Sequence, residues 1–484
     1  MIKMRAFSAN RMPRHFGKKT LVVAATLIVL SGCASIDFEK TLATTNRDAA
    51  GFTDGNLALV QTKEQRADRE RVASEILAKP LGQSEAVRLA LVNSPALQAL
   101  LAQSWADGSK AAQAGRISNP IFSFESVRFA DELELGRQLS FGLLDILTLP
   151  QRARIAERQI AQQQVRLTTA VVDQVTQVRQ AWVRAVAAQQ SLGYASQVND
   201  AAQASSELAR RLYAAGNFSK LQRARQQAFY ADAVTQLAAA QHASVSTREE
   251  LARLLGLTDS QVEALVLPER LPDLPTTPRS PGEVGQRASQ SRLDIQLAKS
   301  EFEGAARLQG LTAITSLTDI ELGIRRGTVF DNAAGTETSK QGYEVSVRLP
   351  VFDWGGNQRD NLNAQTLAAA NRLEAAVRAA GSSLRESYSA YRTAFDVSKH
   401  FRDEVVPLRK TISEENVLRY NGMLIGVFEL LADARDQRHS VLAAIDAEQQ
   451  FWLTDAALQA TMLGKPTKAT EGAMVTGGGV DAGH

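Results

Sequence analysis

The sequence predicts a mixed α/β membrane protein built from one unit used twice, each copy reading helix, strand, strand, helix, helix. Three observations predict it: residues that recur at a near-constant offset, segments that alternate apolar with polar residues, and helical stretches far longer than a globular core needs. Val178, Arg179 and Trp182 recur as Leu384, Arg385 and Tyr388, an offset of 206. Leu139-Ser140-Phe141 matches Val345-Ser346-Val347 at the same offset. Tyr213 recurs as Tyr420 at 207, and Leu255-Gly256 as Leu463-Gly464 at 208. Four matches in order at so steady a spacing indicate duplication.

The first copy, 81–257, begins with a helical stretch over about 84–116 that ends at Asn119-Pro120, since proline disfavours helix in the residue before it. Strands are expected at 121–129 and 133–143. The second of these carries Leu133, Leu135, Leu139, Phe141 and Leu143 on one face with Arg137, and Glu134, Gly136, Gln138, Ser140 and Gly142 on the other. Leu149-Pro150-Gln151 reads as the opening of a long helix to about Tyr213, with proline in its tolerated first-turn place. A second helix runs from about Ser219 to Leu255.

The second copy, 282–466, repeats the scheme with a helix over 282–315, a strand around Ile320, Leu322 and Ile324, and a polar loop at 328–341. A strand follows with Tyr343, Val345, Val347 and Leu349 opposite Glu344, Ser346 and Arg348, then helices at about 357–419 and 427–462. Pro268, Pro272, Pro275, Pro278 and Pro281 mark 258–281 as an extended linker. Residues 33–80 read as a polar lead-in, and 467–484 as a disordered Gly-rich tail. The long helices of roughly 60 residues, at about 1.5 Å each, make rods near 90 Å. Val171, Val175, Val178, Trp182, Ala185 and Leu192 keep the spacing of a coiled-coil seam.

Residues 1–32 read as a secretory signal: Arg5, Arg11, Arg14, Lys18 and Lys19 precede an apolar run, Leu21 to Leu30, too short to span a bilayer. The run ends in Leu30-Ser31-Gly32-Cys33, which resembles the lipobox of bacterial lipoproteins and implies acylation of Cys33. Ala34, rather than Asp, follows the cysteine, which implies the outer rather than the inner membrane. Cys33 is the only cysteine in 484 residues, so no disulfide can form within the chain. Residues 1–32 hold six of the 55 Lys and Arg and none of the 52 Asp and Glu, leaving 49 basic against 52 acidic groups, net −3. The apparent basicity therefore gives no reason to expect a nucleic-acid partner. With the signal removed, no stretch of 18 apolar residues remains, so any membrane crossing must be made by strands. Four strands cannot close around a lumen, and lipid does not tolerate open edges, so several chains must share one barrel.

The stretch Arg348-Leu349-Pro350-Val351-Phe352-Asp353-Trp354-Gly355-Gly356-Asn357, together with the paired Tyr213-Ala214-Ala215-Gly216 and Tyr420-Asn421-Gly422-Met423, resembles signatures of the TolC-like outer-membrane efflux family. The resemblance covers about 84–466. It implies a homotrimer with a twelve-stranded outer-membrane β-barrel and a long periplasmic α-helical barrel, working with a periplasmic adaptor protein and an inner-membrane pump. With the lipobox, it points to the lipidated branch that exports drugs or metal cations. One departure is Met423, where the family places glycine, so the second turn is expected to differ in shape. The alternatives are the outer component of a protein-secretion system, or a non-porous coiled-coil lipoprotein of the periplasm.

No enzyme constellation, phosphate loop or paired-histidine spacing occurs, and an export duct needs neither cofactor nor metal. The family's acidic position nine residues after the second tyrosine falls on Glu429; Asp433, one turn on, shares its helix face. Three copies of this pair would ring a constriction that draws cations and sets closure; the competing reading pairs them with Arg435 or Arg438. Gly216, Asn217, Phe218 and Ser219, with Leu424, Ile425, Gly426 and Val427, are the expected adaptor-docking tips, where small residues admit a close helical hairpin.

Overall fold

In a computed structural model, residues 37–315, 319–349, 351, 352 and 354–467 are described. Cys33, with the rest of the signal and lipobox, lies outside them, as do Pro350, Asp353 and nearly all of the tail. Helices α1 (Phe38–Ala49) and α2 (Lys63–Leu77) come first, then α3 (Gln83–Asn93) and α4 (Pro95–Ala114). Strands β1 (Ile121–Phe129) and β2 (Glu132–Gly142) lead into α5 (Leu143–Ala214) and α6 (Lys220–Leu255). After the short α7 (Asp259–Ala264), the pattern returns as α8 (Pro281–Ser291), α9 (Leu293–Thr315), β3 (Ile320–Asp331) and β4 (Thr336–Val347). It closes with α10 (Gly356–His400), a π-turn (Phe401–Val405), α11 (Val406–Asn421) and α12 (Val427–Met462). Among the described residues no helix is long and apolar enough to cross a membrane.

The duplication is legible in contacts as well as in element order. Trp182 Nε1 donates to the Leu81 carbonyl at 2.7 Å, just ahead of α3, and Tyr388 Oη donates to the Arg279 carbonyl at 3.2 Å, just ahead of α8. Gly256 and Gly464 both take left-handed backbone, φ 68° and 85°. A Cβ on Gly256 would lie 2.3 Å from Pro95 Cδ, and one on Gly464 2.4 Å from Asp294 Oδ1. Each glycine thus ends a long helix against the start of its own copy's α4 or α9, where no side chain fits.

Contacts divide the chain into two compact units, each discontinuous in sequence. One holds 107–161 and 303–366, with the four strands; the other holds 37–106, 162–302 and 367–467 of the described residues. The helical unit has a core in which Val171, Val175, Val178, Trp182 and Ala185 are buried, as the seam spacing anticipates, with Leu251, Leu255 and Leu453 among their company.

Several expectations need correction. The first helical stretch is two helices, because Pro95 forces Ser94 to extended backbone (ψ 117°); in the second copy Arg292 is likewise extended (ψ 105°), with leucine rather than proline after it. Helix α5 begins at Leu143, directly after β2, so Pro150 lies inside the helix rather than at its start. Most of the expected polar loop at 328–341 is strand, with the turn confined to 332–335. The helix expected over 357–419 widens at Phe401–Val405, just before Pro407, which has no N–H for the Asp403 carbonyl. The lead-in is not merely polar: α1 and α2 are capped by Asp37 and Thr62 and bury Phe38, Leu42 and Leu77. The proline-marked segment is also pinned, burying Leu265, Leu267, Leu271 and Leu274, while Trp452 Nε1 donates to the Pro272 carbonyl at 3.1 Å.

Candidate functional site

The sheet is antiparallel with order β1-β2-β3-β4, so β1 and β4 are open edges. Its register places Phe122 opposite Leu139, Leu139 opposite Ile324, and Ile324 opposite Tyr343; the next row joins Phe141, Leu322 and Val345. Because side chains alternate, these rows form one apolar face that crosses all four strands. Tyr343 and Phe122 are 85% and 65% exposed on it. The other face carries Glu125, Glu132, Glu134, Glu321, Asp331 and Glu344 against Arg325 and Lys340. There Arg325 Nη2 lies 3.0 Å from Glu125 Oε2, and Lys340 Nζ 3.4 Å from Glu134 Oε2. Gly136, Gly323 and Gly327 are buried on this face, which gives the larger polar side chains room to lie across the strands.

In the helical unit the two turns that follow Tyr213 and Tyr420 share one hydrogen-bond pattern. After α5, Gly216 N donates to the Tyr213 carbonyl (3.0 Å) and Asn217 N to the Leu212 carbonyl (2.9 Å). After α11, Met423 N donates to the Tyr420 carbonyl (2.9 Å) and Leu424 N to the Arg419 carbonyl (2.8 Å). Both are Schellman closures, with the left-handed position filled by Gly216 (φ 79°) and by Met423 (φ 58°). The expected difference in shape at Met423 is therefore not found: the backbone keeps the glycine geometry and accepts the strain.

The turns differ on their C-terminal sides. Ser219 caps α6 in a reciprocal box with Gln222, its N–H 2.6 Å from Gln222 Oε1 and its Oγ accepting from Gln222 N at 3.2 Å. Gly426, at the matching place before α12, has no side chain to cap with. Arg223 stacks on Tyr213 with its guanidinium carbon 4.4 Å from the ring centroid. Gly216, Asn217, Leu424 and Gly426 are exposed, and Phe218 and Ile425 are half-buried. Met423, which sequence reading flagged only as a departure, is 93% exposed. The backbone of Val427 opens α12, but its side chain lies outside the described residues.

Glu429 is exposed in the first turn of α12, where the helix dipole favours a carboxylate. Asp433, one turn on, is buried, and its Oδ2 has no hydrogen-bond partner among the described residues. Neither carboxylate makes an ion pair with Arg435 or Arg438 among those residues. Both arginines instead lie over the Phe229 ring, at 4.6 and 5.7 Å, an arrangement that sequence reading missed because it joins α6 and α12 across a gap of about 200 residues. Further along α12, half-buried Glu448 has its pKa pushed up to about 7 by burial and by the nearby Asp273 carboxylate, against the pull of Arg270 and Arg402.

No protein-family model and no curated protein sequence matches the chain. Solved structures do. The Campylobacter jejuni CmeC outer membrane channel superposes with TM-score 0.66 at 14% identity, covering 88% of this chain and 93% of that one. A membrane protein from Pseudomonas aeruginosa gives 0.65 at 18% identity, covering 82% and 93%. The open state of the Neisseria gonorrhoeae MtrE outer membrane channel gives 0.62 at 17%, covering 81% and 89%. The chain has the fold of these proteins, which is that of the TolC-like outer-membrane channels.

Proposed function

We propose that the chain is the outer-membrane channel of an export system, the exit duct of a tripartite efflux pump that passes small solutes outward. On this reading three chains join β4 of one to β1 of the next in a twelve-stranded barrel. The long helices then reach through the periplasm toward an adaptor and an inner-membrane pump, and Cys33 anchors each chain in outer-membrane lipid. The observation that carries the reading is the sheet: one face apolar and exposed, the other polar, and both edges open. Lipid satisfies no free N–H or C=O, so such a sheet is stable in a bilayer only when closed on itself. A non-porous coiled-coil lipoprotein has no use for it.

The inward face would be acidic, with six carboxylates against two cations in each chain, which favours cationic solutes, whether drugs or metal ions. A second cation filter would sit at the turns, where three copies of Glu429 face the lumen and Asp433 backs them. Planar-bilayer recording on the purified full-length chain tests both. Discrete, cation-preferring conductance is expected, and a protein that inserts without conducting would overturn the channel. The Glu429→Ala, Asp433→Ala double variant should conduct more and prefer cations less; unchanged pore properties would retire the filter at the turns and leave the channel standing.

A further inference from the structure

Arg137 on β2 and Arg326 on β3 are direct cross-strand partners, and both are exposed. They lie on the apolar face, one row from Leu139, Ile324 and Tyr343, with Phe124 and Gln341 completing their own row. Like charges directly opposite each other destabilise a sheet. On the other face the strands' cations are neutralised by Glu125 and Glu134. Here, among the described residues, neither arginine has an ion-pair partner. The strands' one carboxylate on this face, Glu337, is opposite Phe330, four residues along β3 from Arg326 and so about 13 Å away.

The geometry points to an anion site: Arg137 and Arg326 clasp the phosphate of an anionic membrane lipid on the outer surface of the barrel. This rests on the channel reading, which turns the apolar face to lipid. Two guanidinium forks side by side match a phosphate, and a bound anion converts their repulsion into attraction. The position along the strand fits a headgroup. The preceding row is aromatic, with Phe122 and Tyr343, the residue types that gather at a bilayer interface. The following row is Ser126, Leu135, Thr328 and Ser339, in which three of the four residues are polar. An arginine at that boundary is tolerated in lipid, whereas one at the midplane is strongly disfavoured.

The test is native mass spectrometry of the purified full-length protein, comparing retained phosphatidic acid with retained phosphatidylcholine. Wild type should prefer phosphatidic acid, and the Arg137→Gln, Arg326→Gln double variant should lose that preference by about thirtyfold. Arg137→Lys with Arg326→Lys, which keeps charge without the fork, should retain part of it, and Arg325→Gln on the opposite face all of it. Equal retention of the two lipids by wild type overturns the site, even if the variants fail to fold. Displacement of phosphatidic acid by millimolar inorganic phosphate overturns the lipid as its occupant. Conductance of the double variant in phosphatidylcholine bilayers separates this from the channel reading: it should be that of wild type, whereas a wild-type protein that never conducts fails the channel instead.

Discussion

Gly216 and Met423 hold the same left-handed position in two turns with matching hydrogen bonds, yet a Cβ is free of strain in neither. A left-handed residue with a side chain costs about 1–2 kcal/mol, and Met423 is too exposed to recover this by packing. Met423→Gly should therefore stabilise the protein by about 1 kcal/mol, read as a rise in thermal midpoint. A lower midpoint would mean that the methionine is held by contacts beyond the isolated chain. The position of that strain was legible in sequence, since Met423 falls 207 residues after Gly216; its outcome was not, because sequence shows which residue is unusual and not whether the backbone yields. The burial of Asp433 was equally hidden. Spacing put it on the face of Glu429, but which of the two is covered depends on how the other helices pack, and nothing local to α12 encodes that.

Among the elements, strands and helix ends were readable wherever apolar alternation or glycine marked them, as for β2 and the close of α6 at Gly256. The misreadings share a cause. Thr336 to Gln341 looked like loop because it is polar, but an edge strand running past the apolar band needs no alternation; its hydrogen bonds to β3 hold it instead. Pro150 looked like a helix start because proline is tolerated there, yet one missing bond is little against the packing of a 72-residue helix. Proline at 407 instead shifts the register, and the π-turn places Arg402 within electrostatic reach of Glu448 on α12. With the pKa of Glu448 raised from 4.5 to about 7, the folded state binds a proton that the unfolded state has released. The stability this contributes is complete below pH 4.5 and is lost as pH rises to about 7. Glu448→Gln should flatten that fall, measured as denaturant midpoint against pH; an unchanged slope would assign it to other groups.

At the scale of the whole molecule, the two faces of the sheet make the sharpest division. Val345→Arg places a charge in the apolar band, at a cost of about 2–4 kcal/mol in lipid, whereas Ser346→Arg, its neighbour on the acidic face, should be tolerated. Yield of heat-resistant trimer in outer-membrane fractions measures the difference, and equal yields would refute the assignment of faces. The edges carry a further consequence. An isolated chain ends in two strands with every outward N–H and C=O unpaired, and β4 of one copy offers β1 of another the same invitation whether the addition closes into a ring or runs on as a ribbon. Only curvature distinguishes a ring of three from an endless tape. If the chain assembles as proposed, a single copy carries a polymerisation seed, which must stay scarce, chaperoned or unformed until other copies arrive. Overproduction should then fail by aggregation rather than by degradation, through the same edges by which the proposed barrel would close.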